Sequence, residues 1–185
     1  MDNKVLETIK ARSSIRAYQD KPLNKEQIDA LVEASLASPS AMDRQPWHFI
    51  VVQNKSIINK LEKDVVSYFE KTGDEGIIQR LKSRNNKIFY DAPCVFIVSV
   101  KPEGMYQIDV GIAAQNLAIA AKSMELDSVI LGLPAVVFNS ENADMWKKNL
   151  QFPEGYEYGI AVAVGYAAME KEPHVMDHSK VTYIT

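Results

Sequence analysis

Four short apolar runs, Phe49–Val52, Cys94–Val100, Val129–Leu133 and Ile160–Val164, limit what this chain can fold into more than any other feature. Each has the length of a strand and is rich in β-branched residues, so four buried strands are expected. The segments between them carry helical spacing instead. Ile57, Ile58, Leu61, Val65 and Phe69 share one face of a helix beginning near Ser56, and two further helices are expected over Gln107–Glu125 and Ser140–Leu150. Helix and strand thus alternate along the chain. At 185 residues the length suits one domain spanning 1–185, burying roughly 70% of the surface the unfolded chain exposes.

Two helices precede the first strand. Asp2 can cap a short one that carries Val5, Leu6 and Ile9 and ends near Ala11. The second opens on a capping-box pair, Asn24 and Gln27, ahead of Ile28, Leu31, Val32 and Leu36, and Pro39 stops it. The helix Gln107–Glu125 is unusual because Gly111, Ala113, Ala114, Ala118, Ala120 and Ala121 leave few large side chains around it. Neighbours can approach such a helix from several sides, which suits either a central core helix or one that also meets its symmetry mate in a dimer. The tail Ser179–Thr185 alternates like an edge strand but has no hairpin partner beside it in sequence.

Charge and cysteine usage exclude several classes. A net charge of -3 and a pI near 5.7 do not suit a globally basic nucleic-acid binder. No segment has the length of a membrane span, and Met1–Lys10 alternates in charge rather than forming an apolar leader, so a cytoplasmic protein is expected. Cys94 is the sole cysteine and lies within an apolar run, as a small core residue would. His48, His174 and His178 are too scattered for a local metal site, and no metal is expected. Glycine-rich nucleotide loops, zinc-protease motifs and serine-hydrolase elbows are all absent.

Two loops carry the chemistry. Arg12-Ser13-Ser14-Ile15-Arg16 places two guanidinium groups around two hydroxyls, a set suited to a phosphate, with each charged hydrogen bond contributing about 1.5–3 kcal/mol. The other, Pro39-Ser40-Ala41-Met42-Asp43-Arg44-Gln45-Pro46, offers backbone groups and small side chains to a flat ring before Trp47 enters a strand.

These two segments, with Leu126-Asp127-Ser128-Val129-Ile130-Leu131-Gly132 and Gly165-Tyr166 in the expected order, resemble the nitroreductase family over nearly the whole chain. The resemblance implies an α+β fold with a mixed central sheet flanked by helices. It also implies an intertwined homodimer in which the C-terminal strand crosses to the partner, and two FMN sites built from both subunits. By the same resemblance, Arg12, Ser13, Ser14 and Arg16 match the phosphate and ribityl site, while Pro39, Ser40, Ala41 and the position of Asp43 match the loop against the ring. Asn85, with Lys87 as a neighbour, corresponds to the polar side chain at the flavin pyrimidine, and Leu131 and Gly132 to the backbone facing N5.

The implied activity is hydride transfer from NADH or NADPH through flavin N5 to an electron-poor small molecule, nitroaromatic or quinone, in a ping-pong cycle. The flavin carries the reaction, so no side chain is expected as catalytic nucleophile, acid or base. Alternatives are other flavin chemistry on this scaffold, or a flavin-binding protein with little turnover. The chain departs from the family pattern at Asp43, where asparagine is usual, and at Asp127, where glycine is common. A late cation pair for the phosphate is replaced by Lys171, His174, His178 and Lys180 as candidates.

Overall fold

A computed structural model describes residues 3–185, and the four apolar runs form one sheet in the order β1-β2-β4-β3. The strands are β1 (Trp47–Val52), β2 (Cys94–Val100), β3 (Asp127–Leu131) and β4 (Glu157–Gly165). All three strand pairings are antiparallel. The parallel component of the mixed sheet is an isolated bridge between Ser14 and Ser128 at the outer edge of β3. The third strand lies two residues earlier than its apolar run suggests, because Gly132 leaves the sheet for a loop.

Every residue of β2 is buried, which is why its run is continuously apolar rather than alternating. Cys94, Phe96 and Val98 point to one side of the sheet, and Val95 and Ile97 to the other. On the first side lie α2 (Lys25–Leu36) and α5 (Tyr106–Ser123), with Leu31, Ala114, Leu117 and Ala121 packed against Val162 and Val164. The opposite side is covered by α3 (Lys55–Thr72), α4 (Glu75–Lys82), α6 (Ala135–Phe138) and α7 (Ala143–Asn149). Burial pushes the Cys94 thiol up to about 12, as expected of an inert core residue.

Local signals set most helix ends. α1 (Lys4–Ala11) is capped by Asn3, whose side chain accepts from the Val5 and Leu6 amides; the Asp2 cap lies outside the described residues. The Asn24–Gln27 capping box forms reciprocally at α2. Asn54 caps α3, and left-handed Gly73 ends it. The helix expected over Ser140–Leu150 begins only at Ala143, as α7, with α6 preceding it.

The tail finds no place in this chain's own sheet. Ser179–Thr185 forms no strand within this chain: one turn of 3-10 helix covers His178–Lys180, and Tyr183 and Ile184 are 86% and 97% exposed. A strand pattern without a ladder partner in its own chain has no backbone hydrogen bonds to hold it in a sheet.

Among the described residues no helix is long and apolar enough to cross a membrane.

One contact tests the sheet directly. The β2–β4 register shifts between Val98 and Ser99, so that Gly159 is left opposite no partner. A Cβ at Gly159 would lie 2.8 Å from the Val98 carbonyl oxygen and 3.1 Å from a Val110 methyl. Gly159→Ala is expected to destabilise by about 1–3 kcal/mol, since neither the ladder nor α5 can withdraw freely, as read by chemical denaturation. Gly132→Ala meets only a methyl at 3.9 Å, so its stability should stay within about 0.5 kcal/mol.

Candidate functional site

The segment Arg12–Arg16 runs along the open edge of β3. Ile15 donates its amide to the Ser128 carbonyl at 3.1 Å and buries its side chain, which fixes the flanking residues in place. Ser13 is buried, while Arg12, Ser14 and Arg16 are half-buried. Tyr18 anchors the downstream end by donating its hydroxyl between the Ile15 and Ala163 carbonyls, and burial holds its phenol well above the ordinary range. Among the described residues neither Arg12 nor Arg16 forms an ion pair. Arg16 Nε is buried without a hydrogen-bond partner, as is Ser128 Oγ. An unsatisfied guanidinium nitrogen in a polar pocket is what an anionic or carbonyl-bearing ligand would complete.

The cavity beside Arg16 measures about 380 Å³ and is also lined by Arg84, Asn85, Lys87, Tyr90 and Asp91. Arg16 and Asn85, far apart in sequence, therefore share one site. Lys87 bonds Asp91 at 2.7 Å and faces Glu62 at 3.5 Å; the Asp91 hydrogen bond chiefly raises its pKa. Lys87 is thus a neutralised cation, whereas Arg84 Nη1 donates only to the neutral Tyr90 hydroxyl. Arg84 carries no motif and was invisible in the sequence. Of the late candidates, Lys171 reaches the phosphate-type loop, donating to the Ser14 carbonyl at 3.5 Å, and Lys180 instead faces Asp177.

The loop after α2 lies elsewhere. Ala41 donates its amide to the buried Asp109 carboxylate at 3.0 Å, and Ser40 Oγ accepts from the Gln45 amide at 2.8 Å. Pro39 is exposed, Ser40 and Ala41 are half-buried, and Asp43 is exposed with its carboxylate accepting from Gln45 Nε2 at 3.0 Å. The loop is therefore tied to the first turn of α5. The Arg12–Arg16 segment lies near its last turn, where Lys122 pairs with Asp127 beside the Ser14–Ser128 bridge. From Asp109 to Lys122 the helix advances about 20 Å at 1.5 Å per residue. One chain thus holds its two candidate ligand loops at opposite ends of α5.

Leu131 and Gly132 stand where β3 ends. The Leu131 carbonyl accepts from the Tyr158 hydroxyl at 2.9 Å, and Gly132 is exposed. Next to them is a cavity of about 290 Å³ lined by Tyr106, Gln107, Gly111, Ile130 and Ile160 among others. No group of side chains suited to a metal ion occurs among the described residues.

The model of the Nitroreductase family matches residues 9–166, and the chain belongs to that family. A Methanothermobacter thermautotrophicus protein named "Putative NADH dehydrogenase/NAD(P)H nitroreductase" is 37% identical over 70% of this chain, which spans 61% of that relative's length. A Desulfitobacterium hafniense nitroreductase solved with bound FMN superposes with a TM-score of 0.96 at 35% identity, each chain covered completely. A Bacteroides fragilis nitroreductase, also with bound FMN, gives 0.89 at 28% identity with the same coverage.

The loop around Ala41 is strained, with Met42, Asp43 and Gln45 all at φ between 46° and 56°. Met42 is 84% exposed, so its side chain returns little packing for a left-handed backbone. Met42→Gly is expected to raise thermal stability by about 0.5–1 kcal/mol, which a denaturation midpoint measures.

Proposed function

We propose that residues 1–185 form one flavin-binding domain whose homodimer holds two FMN molecules and reduces electron-poor small molecules at the expense of NADH or NADPH. The observation that carries this is the separation of the two ligand loops along α5. A second copy related by a two-fold axis, with its α5 antiparallel, brings its Pro39–Asp43 loop to the Arg12–Arg16 end of the first. The outer face of α5 suits that contact: Ile108 is 53% exposed, and Gly111, Ile112 and Ile119 are not fully buried. The apolar face of α1, with Val5, Leu6 and Ile9 exposed by 42–62%, extends it.

The tail fits the same arrangement. The outer edge of β3 is taken by Ile15, which leaves β1 as the free edge of the sheet. A groove of about 330 Å³ runs beside β1, bounded by His48–Asn54 and by Asn149–Gln151. In our reading Ser179–Thr185 of the partner adds there as a strand, so that each chain supplies the other's missing ladder.

When bound, FMN supplies acceptance of hydride at N5 and its delivery to a second substrate, in two half-reactions at one site. The chain's residues bind and orient. Arg12, Ser13, Ser14 and Lys171 meet the phosphate and ribityl chain, and Arg16 and Asn85, with Arg84 nearby, meet the pyrimidine end where negative charge collects. Leu131 and Gly132 offer backbone beside N5, and the partner's loop closes the other side of the ring. Electron-poor nitroaromatic or quinone acceptors fit the open apolar cavity by Ile130 and Gly111. The cytoplasm, where reduced nicotinamides abound, is the compartment in which such an enzyme works.

Replacing both Arg12 and Arg16 by Ala is expected to release FMN from a protein whose far-UV spectrum is unchanged, since neither side chain belongs to the apolar core. Undiminished flavin content in the purified double variant contradicts the assignment. Truncation before Ser179 should convert a dilution-resistant dimer to monomer and lower flavin content with it; light scattering that finds a flavin-loaded monomer in either form overturns the two-chain site.

A further inference from the structure

Glu62 is the one carboxylate on α3 that is almost fully buried, at 7% exposed. Its Oε2 accepts two consecutive backbone amides, from Ile88 at 2.6 Å and from Phe89 at 3.0 Å. Its Oε1 faces Lys87 Nζ at 3.5 Å, and Lys87 in turn holds Asp91. The segment so gripped, Asn85–Asp91, contains four non-glycine residues in the left-handed region: Asn85, Asn86, Tyr90 and Asp91, at φ of 53–60°. Three of them are Asn or Asp, which tolerate this region, but four left-handed residues within seven persist only where surrounding contacts determine the backbone. The buried anion supplies that determination, because a carboxylate receiving two amides and an ammonium is satisfied only in this loop geometry. Hydrophobic contacts from Ile88 and Phe89, both buried, lock the far side.

The same segment, with Arg84 just before it, presents Asn85, Lys87 and Tyr90 to the cavity that Arg16 lines. A purely structural clamp has no reason to fix a strained polar loop against an unsatisfied guanidinium. We propose that Glu62 is a positioning residue for the flavin ring: it touches no ligand, and by holding the Ile88 and Phe89 amides it sets Asn85 and Arg84 at the pyrimidine end of the site. This rests on the flavin reading given above. It differs from the assignment of Arg12, Ser13, Ser14 and Lys171 in the part of the ligand concerned, the ring rather than the phosphate.

The test uses the full-length dimer stripped of flavin and titrated with FMN and with riboflavin, which share the ring and differ in the phosphate. Glu62→Ala is expected to weaken both ligands by the same factor, about tenfold or more, and to accelerate hydrogen exchange at the Ile88 and Phe89 amides. Glu62→Gln, which keeps an oxygen acceptor for those amides, should restore most of both affinities. If the Ala variant does not fold, Glu62→Asp, which withdraws the oxygens by one methylene, replaces it with the same expectation. A lowered melting temperature with unchanged flavin affinities reduces Glu62 to a stabilising residue and overturns the proposal. So does a loss confined to FMN, since that places the effect at the phosphate. A wild-type chain that binds neither ligand overturns the flavin reading itself, and is thereby told apart from a failure seen only in the variants.

Discussion

The close approach of α5 to the sheet is the constraint on which the remaining structure depends. Ala113, Ala114, Ala118 and Ala121 are buried along it, and Gly159 lets Val110 sit over the bulge in β4. A helix lying so near the strands leaves room beside it only in the open cavity between its first turns and the ends of β3 and β4, by Gly111, Ile130 and Ile160. The two candidate ligand loops are found at its ends. Asp109 in the first turn holds Ala41, and the last turn lies beside the Ser14–Ser128 bridge. Helix length therefore converts a packing requirement into a separation of the two loops by about 20 Å within one chain.

Conformational strain is distributed in the same way. Of nine non-glycine residues with positive φ among the described residues, seven lie in the two segments 42–45 and 85–91. A buried carboxylate meets each: Asp109 accepts the amide of Ala41, just before the first segment, and Glu62 accepts those of Ile88 and Phe89 within the second. Burying an anion is costly unless it is bonded, so each carboxylate and its loop impose their geometry on one another. The Tyr158 hydroxyl does the same for the Leu131 carbonyl without a charge. Polar side chains buried behind the loops, rather than the loops' own sequences, hold their shapes.

That division explains what could be read from the sequence. The four strands, the capping box at Asn24 and the small-residue helix all depend on local pattern, and each forms within a few residues of its expected place. Arg12–Arg16 and Pro39–Asp43 were legible because their residue types match a motif. Glu62, Asp109 and Arg84 were not: a lone acidic residue on an amphipathic helix looks like any solvated one until the fold buries it against a distant amide. α4 was missed because its apolar residues Ile77, Ile78 and Leu81 follow a glycine and a polar turn too short to reset the pattern. The tail reads as a strand because alternation reports a preferred pairing surface and says nothing of which chain provides it.

Charge pairing decides how much the departures from the family pattern matter. Asp127 brings a carboxylate to the edge where an anion would bind, yet Lys122 meets it at 2.9 Å and its side chain is only 12% exposed. The pair is close to neutral as seen from the Arg12–Arg16 segment. Lys87 is likewise taken up by Asp91 and Glu62. Among the described residues, the positive charge without an ion-pair partner along this edge belongs to Arg12, Arg16 and Arg84, with Lys171 at its margin. Three of these four are guanidinium groups, which stay charged at any physiological pH and can give two parallel hydrogen bonds to one partner. An edge that has neutralised its lysine–carboxylate pairs internally, and whose arginines form no ion pair among the described residues, keeps a net positive field, and the second aspartate departure, Asp43, lies at the other end of α5, outside that field within one chain.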